Sequence, residues 1–552
     1  MVQPIGAGVT LAEYQPAASP IPGSPAGIAP YTGPWDTLQV VHLLKRTLFG
    51  ASVPDIHYFR TLTMSQAVDQ LLQPTPAPAT APLNNYGADA TGVASWQTWI
   101  NASLLYQDDK LNEDRVNSMQ CWWIGQLLNP GRSIHEKMTL FWHNHFAMDA
   151  TAHFSDIPAR LWYDQYMVLR QNALGDFRQM VKSIALNPAM LIYLNGNTNT
   201  KTAPNENFAR ELQELYSIGK GSGSAYTQDD VHTAARVLTG HTVDNNYNYA
   251  FLPGDHDDLN KKFSDFYGSH ITTGYSGPAG AGELDDLLSM IFSTQESAKF
   301  ICRKIYSFFV YYKIDSSIET NVIGPLADIF RQSGYNITSV LSALLKSQHF
   351  FDLVNSGACI IKSPLDFLIG LCREYNVTLP DPASPAAQYA AFEMLHQRSK
   401  ILQQEVLAIP LVAGWDPYRQ APQFHELWIN SVTYTGRNFY TDLLINIGDM
   451  MNGTILQIDP IAFANLLPHP EDPNMLISDS LDILLRPPLS DGSRQLLKQS
   501  ILLGNLTTDL YWTNAWLGYV ANPTDMNAFT TVSTKLKALY KYIMNLPEYH
   551  LS

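Results

Sequence analysis

The sequence predicts a mainly α-helical protein, a large multi-helix globular array with a small β-hairpin insertion near residues 242–263. From residue 282 to the end, apolar residues recur at helical spacing in one segment after another. Strands do not alternate with helices, which argues against a doubly wound parallel sheet. The best strand candidate is 247–251, where aromatic residues alternate with Asn248 and Ala250 ahead of a Pro-Gly turn.

The amino-terminal segment 1–34 is rich in Pro, Ala and Gly and is predicted to form an extended arm. The first helix is expected to follow Asp36 and to stop at Gly50. Residues 35–552 are then predicted to form a single large α-helical domain. This domain could divide into a site-bearing half, 35–280, and a second helical half, 281–552.

Hydrophobic periodicity and capping signals place the remaining helices. In segment 205–240, one helix begins near Asn205, and a capping box from Thr227 to Asp230 opens a second that ends at Gly240. Other helices are predicted at 157–172, 176–186, 282–311, 321–333, 337–348, 364–375, 387–406, 424–447, 476–485, 490–506 and 525–545.

Composition limits the class of function. The chain has 552 residues and a net charge of −15, with 45% hydrophobic residues, enough for a substantial core. An acidic protein lacks the basic face that nucleic acid or an anionic membrane surface requires, so neither is expected as the main partner. No apolar run approaches the length of a transmembrane span.

Cysteine usage and the amino terminus bear on the compartment. The chain has four cysteines without CxxC spacing, and they are expected to be buried thiols, with one disulfide left open: Cys121, Cys302, Cys359 and Cys372. The first residues show neither a basic segment nor an apolar segment typical of a signal peptide. From this pattern we expect a cytoplasmic protein or a form without its export signal.

The stretch 133–146 is the strongest candidate for a functional site. It predicts a helix that begins with a capping box at Ser133 and Glu136 and ends at a His-Asn-His cluster, His143 to His145. The zincin motif HExxH is absent, because Thr139 occupies the position of its second histidine. The GxSxG nucleophile motif and the GxxxxGK[ST] phosphate loop are absent as well.

Helix geometry restricts how the two histidines could act together. Residues two apart on a continuous helix point about 200° away from each other. His143 and His145 could therefore share a ligand only if the helix unwinds near Trp142. We predict that it does, and that Glu136, two turns earlier, orients His143.

The predicted site combines three segments, the His-Asn-His cluster, the 205–240 helices and the loop at His256. Imidazole and carboxylate ligands suit zinc, iron or manganese, which could activate a water or an oxidant. The predicted metal ligands are His143, His145 and His256; the catalytic carboxylates are Glu211, Glu214 and Asp257; the supporting residues are Glu136, Asn144, Arg210 and Arg236.

Two other interpretations of these residues stay open. They could form a metal-free acid–base or binding site. Alternatively, Glu211 and Glu214 could pair with Arg210 and Arg236 in a buried ion network that only fixes helix packing, while the histidines are hydrogen-bonded core residues.

Several blocks of the sequence resemble the bacterial family known as domain of unknown function eighteen-hundred, in matching order from about residue 36 to 545. One position departs from the family, since His241 stands where a Trp is usual. The matching blocks are 42–46, 49–50, 136–146, 205–212, 226–240, 256–268, 362–364, 412–415 and 428–429.

The resemblance implies an exported, mostly helical protein, periplasmic or secreted, commonly encoded beside a sulfatase-like partner protein. It implies no catalytic residue. The sequence as a whole predicts a metal-assisted enzyme, hydrolytic or oxidative, acting on an unknown small molecule. The alternative is a non-enzymatic extracytoplasmic scaffold that binds a partner or a polysaccharide, with stacking platforms among its 11 Trp and 28 Tyr.

Overall fold

The computed structural model describes residues 27–104, 108–221, 223–356 and 359–552. Most of the predicted arm, residues 1–26, lies outside the described residues. Its remainder follows the surface beside the end of a helix, where the amide of Tyr31 donates to the carbonyl of Lys346 at 2.9 Å.

Helices dominate the amino-terminal half. The segments predicted at 157–172, 176–186 and 205–240 are helical, and the capping box at Thr227 is present. The helices are α1 (Thr37–Thr47), α2 (Val53–Arg60), α3 (Met64–Leu71), α4 (Asp109–Leu128), α5 (His135–His145), α6 (Ala159–Asn172), α7 (Phe177–Ala185), α8 (Pro188–Tyr193), α9 (Glu206–Glu211) and α10 (Gln228–Val237).

The carboxy-terminal half is also helical. Its helices are α11 (Glu283–Ser293), α12 (Gln295–Phe309), α13 (Ser316–Ile318), α14 (Gly324–Gln332), α15 (Ile337–Leu345), α16 (Gln348–Ser356), α17 (Pro364–Glu374), α18 (Pro385–Ile401), α19 (Ser431–Asn446), α20 (Pro460–Ala464), α21 (Pro473–Leu484), α22 (Asp491–Leu496), α23 (Leu510–Ala521) and α24 (Met526–Met544). Within the described ranges, three π-helical turns extend neighbouring α-helices, at Leu212–Ser217, Glu319–Ile323 and Leu497–Leu502.

Two predicted helices are each divided in the structure. The 282–311 segment breaks at Thr294, which adopts an extended conformation and caps α12 with its side chain. The 424–447 segment begins as a 3-10 turn, Phe424–Trp428, and α19 starts anew from a capping box at Asn430. In both, a local cap interrupts a hydrophobic pattern that continues across it.

The β structure consists of small antiparallel pairs, so the mainly α prediction is confirmed. The predicted hairpin is present, with β1 (His241–Val243) paired to β2 (Tyr249–Phe251). The predicted range 242–263 also reaches into a second pair, β3 (Lys261–Lys262) with β4 (Ile271–Thr272). A third pair joins β5 (Asp449–Met451) to β6 (Thr454–Leu456).

Nearly all of the buried hydrophobic residues that the structure describes form one contiguous cluster, which extends along the chain from Val40 to Tyr549. The division into a single domain with two halves stays a prediction. None of the described helices combines the length and the apolar character that crossing a bilayer requires. The four thiols are free, and Cys121, Cys302 and Cys372 are buried.

Candidate functional site

Helix α5 is continuous through the His-Asn-His cluster, so the predicted unwinding near Trp142 is wrong. The predicted capping box is wrong as well. Ser133 donates its hydroxyl hydrogen to the carbonyl of Gln73, at 2.5 Å, and α5 begins without a side-chain cap. Nearly every residue of α5 is buried, so core packing rather than capping fixes the helix.

His143 and His145 make separate contacts on different sides of α5. The Nε2 atom of His143 accepts a hydrogen bond from the amide of Leu407 at 3.1 Å. Burial lowers the pKa of His143 to about 3, so the ring is neutral. The Nε2 atom of His145 lies 3.0 Å from the carbonyl of Tyr216, and its Nδ1 lies 3.0 Å from Nζ of Lys304. The structure therefore does not bring the two imidazoles together.

The supporting residues of α5 have other partners than those predicted. Glu136 faces α6, where it accepts from Nε of Arg170 at 2.6 Å and from the hydroxyl of Tyr166. It does not orient His143. Asn144 accepts from the amide of Trp415 at 2.8 Å, which fastens the end of α5 to a distant loop.

The predicted carboxylates near residue 211 lie together but without an imidazole partner. Burial and the charge of Glu214 raise the pKa of Glu211. Glu214 pairs with Lys220 at 3.1 Å, and Arg210 pairs with Glu206 at 3.1 Å. The predicted ion network with Arg236 is also not formed. The 205–240 segment does meet α5, but through the carbonyl of Tyr216 in the π-helical turn.

His256 and Asp257 belong to a separate buried network. The Nδ1 atom of His256 lies 2.8 Å from the carbonyl of Thr239, and its Nε2 lies 3.0 Å from Glu283. Glu283 also pairs with buried Lys261. Burial opposes ionisation of Asp257, but the bond from Arg236 at 2.7 Å holds its pKa below the usual value. This network ties the second β-hairpin to α11.

A cavity of about 60 Å³ lies beside α5, on the side of His145 and Asn144. A volume of this size holds a few water molecules or one small polyatomic ion. Five basic side chains line it against one acidic side chain, Asp366. The lining residues that bear on its chemistry are Lys45, Arg46, Lys137, Asn144, His145, Lys304, Ser363, Asp366, Tyr418, Arg419, His425 and Ser552.

Some of these basic groups have acidic partners. Lys45 pairs with Glu374, and Lys137 pairs with Asp366. Arg419, whose side chain is 38% exposed, pairs with Asp416 and marks the solvent-facing side of the cavity. Their charges are therefore largely compensated.

Arg46 has no such partner. The residue is 2% exposed, and its three guanidinium nitrogens make no hydrogen bond to any described residue. Burial, with a contribution from nearby Arg486, lowers its pKa to about 10. Arg46 thus remains charged at neutral pH in a place where nothing in the described part of the chain solvates that charge.

Lys304, on α12, is the second unusual group in the cavity. Burial, followed by the positive charge of Arg419, lowers its pKa to about 7. Its Nζ contacts Nδ1 of His145 at 3.0 Å and the carbonyl of Leu215 at 3.5 Å. Burial and Lys304 in turn lower the pKa of His145, so that ring stays neutral.

The profile of a family described as protein of unknown function (DUF1800) matches residues 42–551 of the chain. The chain belongs to this family. No match was found among curated proteins or among solved structures. The resembling blocks 42–46, 136–146, 362–364, 412–415 and 428–429 each contribute residues to the wall of the cavity.

A larger depression of about 770 Å³ lies on the surface between α7, α11 and α14. Four of its charged residues form ion pairs, Arg178 with Asp176 and Lys182 with Asp285. Among its described lining residues, none is a buried arginine without a hydrogen-bond partner like Arg46 or a lysine with a strongly lowered pKa like Lys304.

Sequence reasoning missed Arg46 and Lys304 as site residues. His42 and Arg46 do stand one turn apart in a resembling block, which was the available signal for Arg46. Lys304 carried no local signal, because only tertiary packing buries its amine. Sequence reasoning also missed a cluster of Cys121, Glu393 and His396, although Glu393 and His396 have the i, i+3 spacing of helical ligand pairs.

Proposed function

We propose that this DUF1800 protein is an enzyme whose small-molecule substrate carries an anionic group, a phosphate, sulfate or carboxylate. Arg46 binds this group in the cavity beside α5, called the cationic cavity below. The observation that carries the proposal is the buried, unpartnered guanidinium of Arg46. The proposal accounts for a guanidinium that forms no hydrogen bond or ion pair with any described residue.

An unpaired buried charge is costly, so its retention points to a partner that arrives from outside the chain. A guanidinium presents a planar set of donors that matches carboxylate, phosphate or sulfate oxygens in pairs. Lys304 and the Nε2 atom of His425, which is buried without a partner among the described residues, line the same space. An anion there would meet several hydrogen-bond donors at once.

Lys304 supplies the acid–base function in this proposal. A lysine with a pKa of about 7 is divided between its amine and ammonium forms at neutral pH, so it can accept or donate a proton. The neutral ring of His145 and the carbonyl of Leu215 fix the position of its Nζ. The amine therefore faces the cavity as a prepositioned base.

The cavity favours anion chemistry over the metal-assisted mechanism predicted from the sequence. The positive charge of Arg46, which has no partner among the described residues, repels a divalent cation, and the predicted ligands His143, His145 and His256 have different partners. A hydrolytic reaction is compatible with Lys304 as the base. If the protein binds a metal, we therefore expect the ligands to be residues other than His143, His145 and His256.

A scaffold role is the second candidate, and exposed apolar side chains on the carboxy-terminal helices favour it. Leu510 is 62% exposed, Met526 is 69% exposed, and Leu517 on the same helix as Leu510 is 51% exposed. Such residues suit a partner protein, including the sulfatase-like partner implied by the family. Co-purification with that partner, lost in Leu510→Ser/Leu517→Ser, would support this role.

A polysaccharide could place only a terminal or pendant anionic group in so small a cavity. Export to the periplasm or the medium stays a prediction.

The anion site is tested by thermal unfolding in increasing concentrations of sulfate or phosphate, with chloride held as the ionic-strength control. Ligand that binds only the folded state raises the melting temperature. We expect a larger rise for the wild type than for Arg46→Met, in which only the general stabilisation by sulfate or phosphate remains. Arg437→Met is the matched control, since Arg437 is also a buried arginine but does not line the cavity. An equal rise in wild type and Arg46→Met would contradict the proposal.

The acid–base role is tested by competitive labelling of lysines with trinitrobenzenesulfonate, an anionic reagent, followed by mass spectrometry. We expect Lys304 to reach half-maximal reactivity near pH 7 and to be protected by sulfate. Lys362, whose pKa burial also lowers to about 7, does not line the cavity and should gain no protection. Reactivity of Lys304 rising only near the ordinary lysine pKa of about 10.4 would refute this role.

A further inference from the structure

Three side chains with metal-binding atoms meet between α4 and α18, away from the cationic cavity. They are Cys121 on α4 and Glu393 and His396 on α18, and one ligand atom from each lies within 4.8 Å of the other two. The Sγ atom of Cys121 is 2.7 Å from a carboxylate oxygen of Glu393. Residues three apart share one face of a helix, so Glu393 and His396 both face α4.

The hydrogen bonding of His396 leaves one ring nitrogen available. Its Nε2 lies 3.1 Å from Oε1 of Glu405. A carboxylate can only accept, so Nε2 carries the hydrogen and Nδ1 has a free lone pair. Nδ1 is buried and has no hydrogen-bond partner among the described residues. A carboxylate that holds the opposite nitrogen of an imidazole is the usual arrangement behind a metal-bound histidine.

We propose that Cys121, Glu393 and His396 bind a zinc ion, with Glu405 as the positioning residue for His396. Thiolate, imidazole and carboxylate are the ligand types that zinc takes in proteins, and a water can complete its tetrahedron. Zinc–ligand bonds of about 2.0–2.3 Å bring the donor atoms to roughly 3.5 Å from one another. The observed separations, from 2.7 Å to at most 4.8 Å, lie on both sides of this value.

The surroundings provide a route for the ion and for the proton that it displaces. Glu393 is only partly buried, and its other oxygen accepts from exposed Gln397 at 2.8 Å, so the carboxylate connects the cluster to solvent. Burial and the charge of Glu393 raise the pKa of Cys121, so the thiol is protonated without metal. Zinc replaces that proton, and binding therefore strengthens as pH rises.

The zinc site gives the predicted divalent metal a location different from the sequence-based one. It would join α4 to α18 and hold the segment around Glu405, whose near neighbour Leu407 donates to His143. The site does not depend on the anion proposal, since none of its three ligands lines the cationic cavity.

The test is a cobalt(II) titration of the full-length chain after treatment with a chelator. Cobalt occupies zinc sites and gives an absorption band when a thiolate is bound. We expect one equivalent per chain with a thiolate-to-cobalt band that zinc abolishes. Cys121→Ser should lose the band, whereas Cys302→Ser, with an equally buried thiol, should keep it. Glu405→Gln should keep the band with about 10–100-fold weaker affinity.

X-ray absorption spectroscopy of the zinc-loaded wild type makes the result independent of how the variants fold. One sulfur and three nitrogen or oxygen ligands are expected. A zinc ion without a sulfur ligand, or with more than one, would overturn the proposal. A wild type that shows no thiolate-to-cobalt band, or a band that persists in Cys121→Ser, would overturn it equally.

Discussion

The side chain of Lys304 lies 3.0 Å from Nδ1 of His145, and the opposite nitrogen of that ring lies 3.0 Å from the carbonyl of Tyr216. A carbonyl can only accept, so His145 donates from Nε2 and accepts from the amine at Nδ1. One neutral imidazole thus connects α5, α12 and the π-helical turn. His145, which the sequence predicts as a metal ligand, positions a buried amine in the structure.

The low pKa of Lys304 makes stability depend on pH. Its folded pKa of about 7 lies below its unfolded value, so the unfolded chain binds more protons between these values. The free energy of unfolding should therefore rise with pH from about 7 towards 10, and this gain disappears as pH falls back through 7. Lys304→Met should flatten this slope by up to about 1.4 kcal/mol per pH unit, measured by urea unfolding across the range.

Lys362→Met is the comparison for this experiment, because burial lowers its pKa to a similar value. It should flatten the pH slope as well, but should leave anion-dependent stabilisation intact. If Lys304→Met leaves the slope unchanged, burial does not lower the pKa of Lys304 as the structure indicates.

Arg46→Met should separate stability from ligand binding. Without an anion, the substitution removes a buried charge that has no partner and leaves an apolar side chain of similar length. We expect the free energy of unfolding in low-salt buffer to be unchanged or higher by about 1 kcal/mol. Added sulfate should stabilise the wild type more than Arg46→Met. A loss of more than about 2 kcal/mol in low salt would indicate that Arg46 has a structural partner.

His143 is expected to act in packing rather than in catalysis. His143→Leu leaves the amide of Leu407 without its acceptor, at a cost of about 1–3 kcal/mol. His143→Gln can still present an acceptor and should cost less. Because the folded pKa of His143 is about 3, its contribution is lost as pH falls from about 6.5 towards 3. His143→Gln should reduce this acid sensitivity in urea unfolding, and neither variant should alter binding of sulfate.

Hydrophobic periodicity predicted the fold well because the periods of helices and strands are local properties of the sequence. Both the mainly α class and the hairpin at β1 and β2 followed from it. The errors occurred where a cap overrides periodicity, at Thr294 and at Asn430.

The site was harder to predict because its chemistry arises from tertiary contacts. The spacing of His143 and His145 correctly indicated that a continuous α5 would separate them, and α5 is continuous. What the sequence could not indicate is that Arg46 would be buried without a counter-ion, or that the amine of Lys304 would be desolvated. Both depend on which charges are near after folding, and no local pattern encodes that.

The contact between Gly414 and the end of α5 provides the last prediction. Gly414 has a φ of +96°, a left-handed conformation, and a Cβ placed there would lie 2.6 Å from Oδ1 of Asn144 and 2.8 Å from its carbonyl oxygen. The carbonyl belongs to the backbone of α5 and cannot rotate away. Gly414→Ala should therefore lower the free energy of unfolding by about 2–4 kcal/mol in urea unfolding.

Gly414→Ala should also alter anion binding, because the neighbouring residue Ala413 and its contact Asn144 both line the cavity. We expect Gly414→Ala to weaken stabilisation by sulfate even where the protein remains folded. Gly254→Ala is the control, since a Cβ there meets no atom within 4 Å and the residue lies far from the cavity wall in sequence. Equal effects of the two substitutions on the free energy of unfolding and on stabilisation by sulfate would contradict this prediction. The loop at Gly414 would then be able to move away from α5 at little cost.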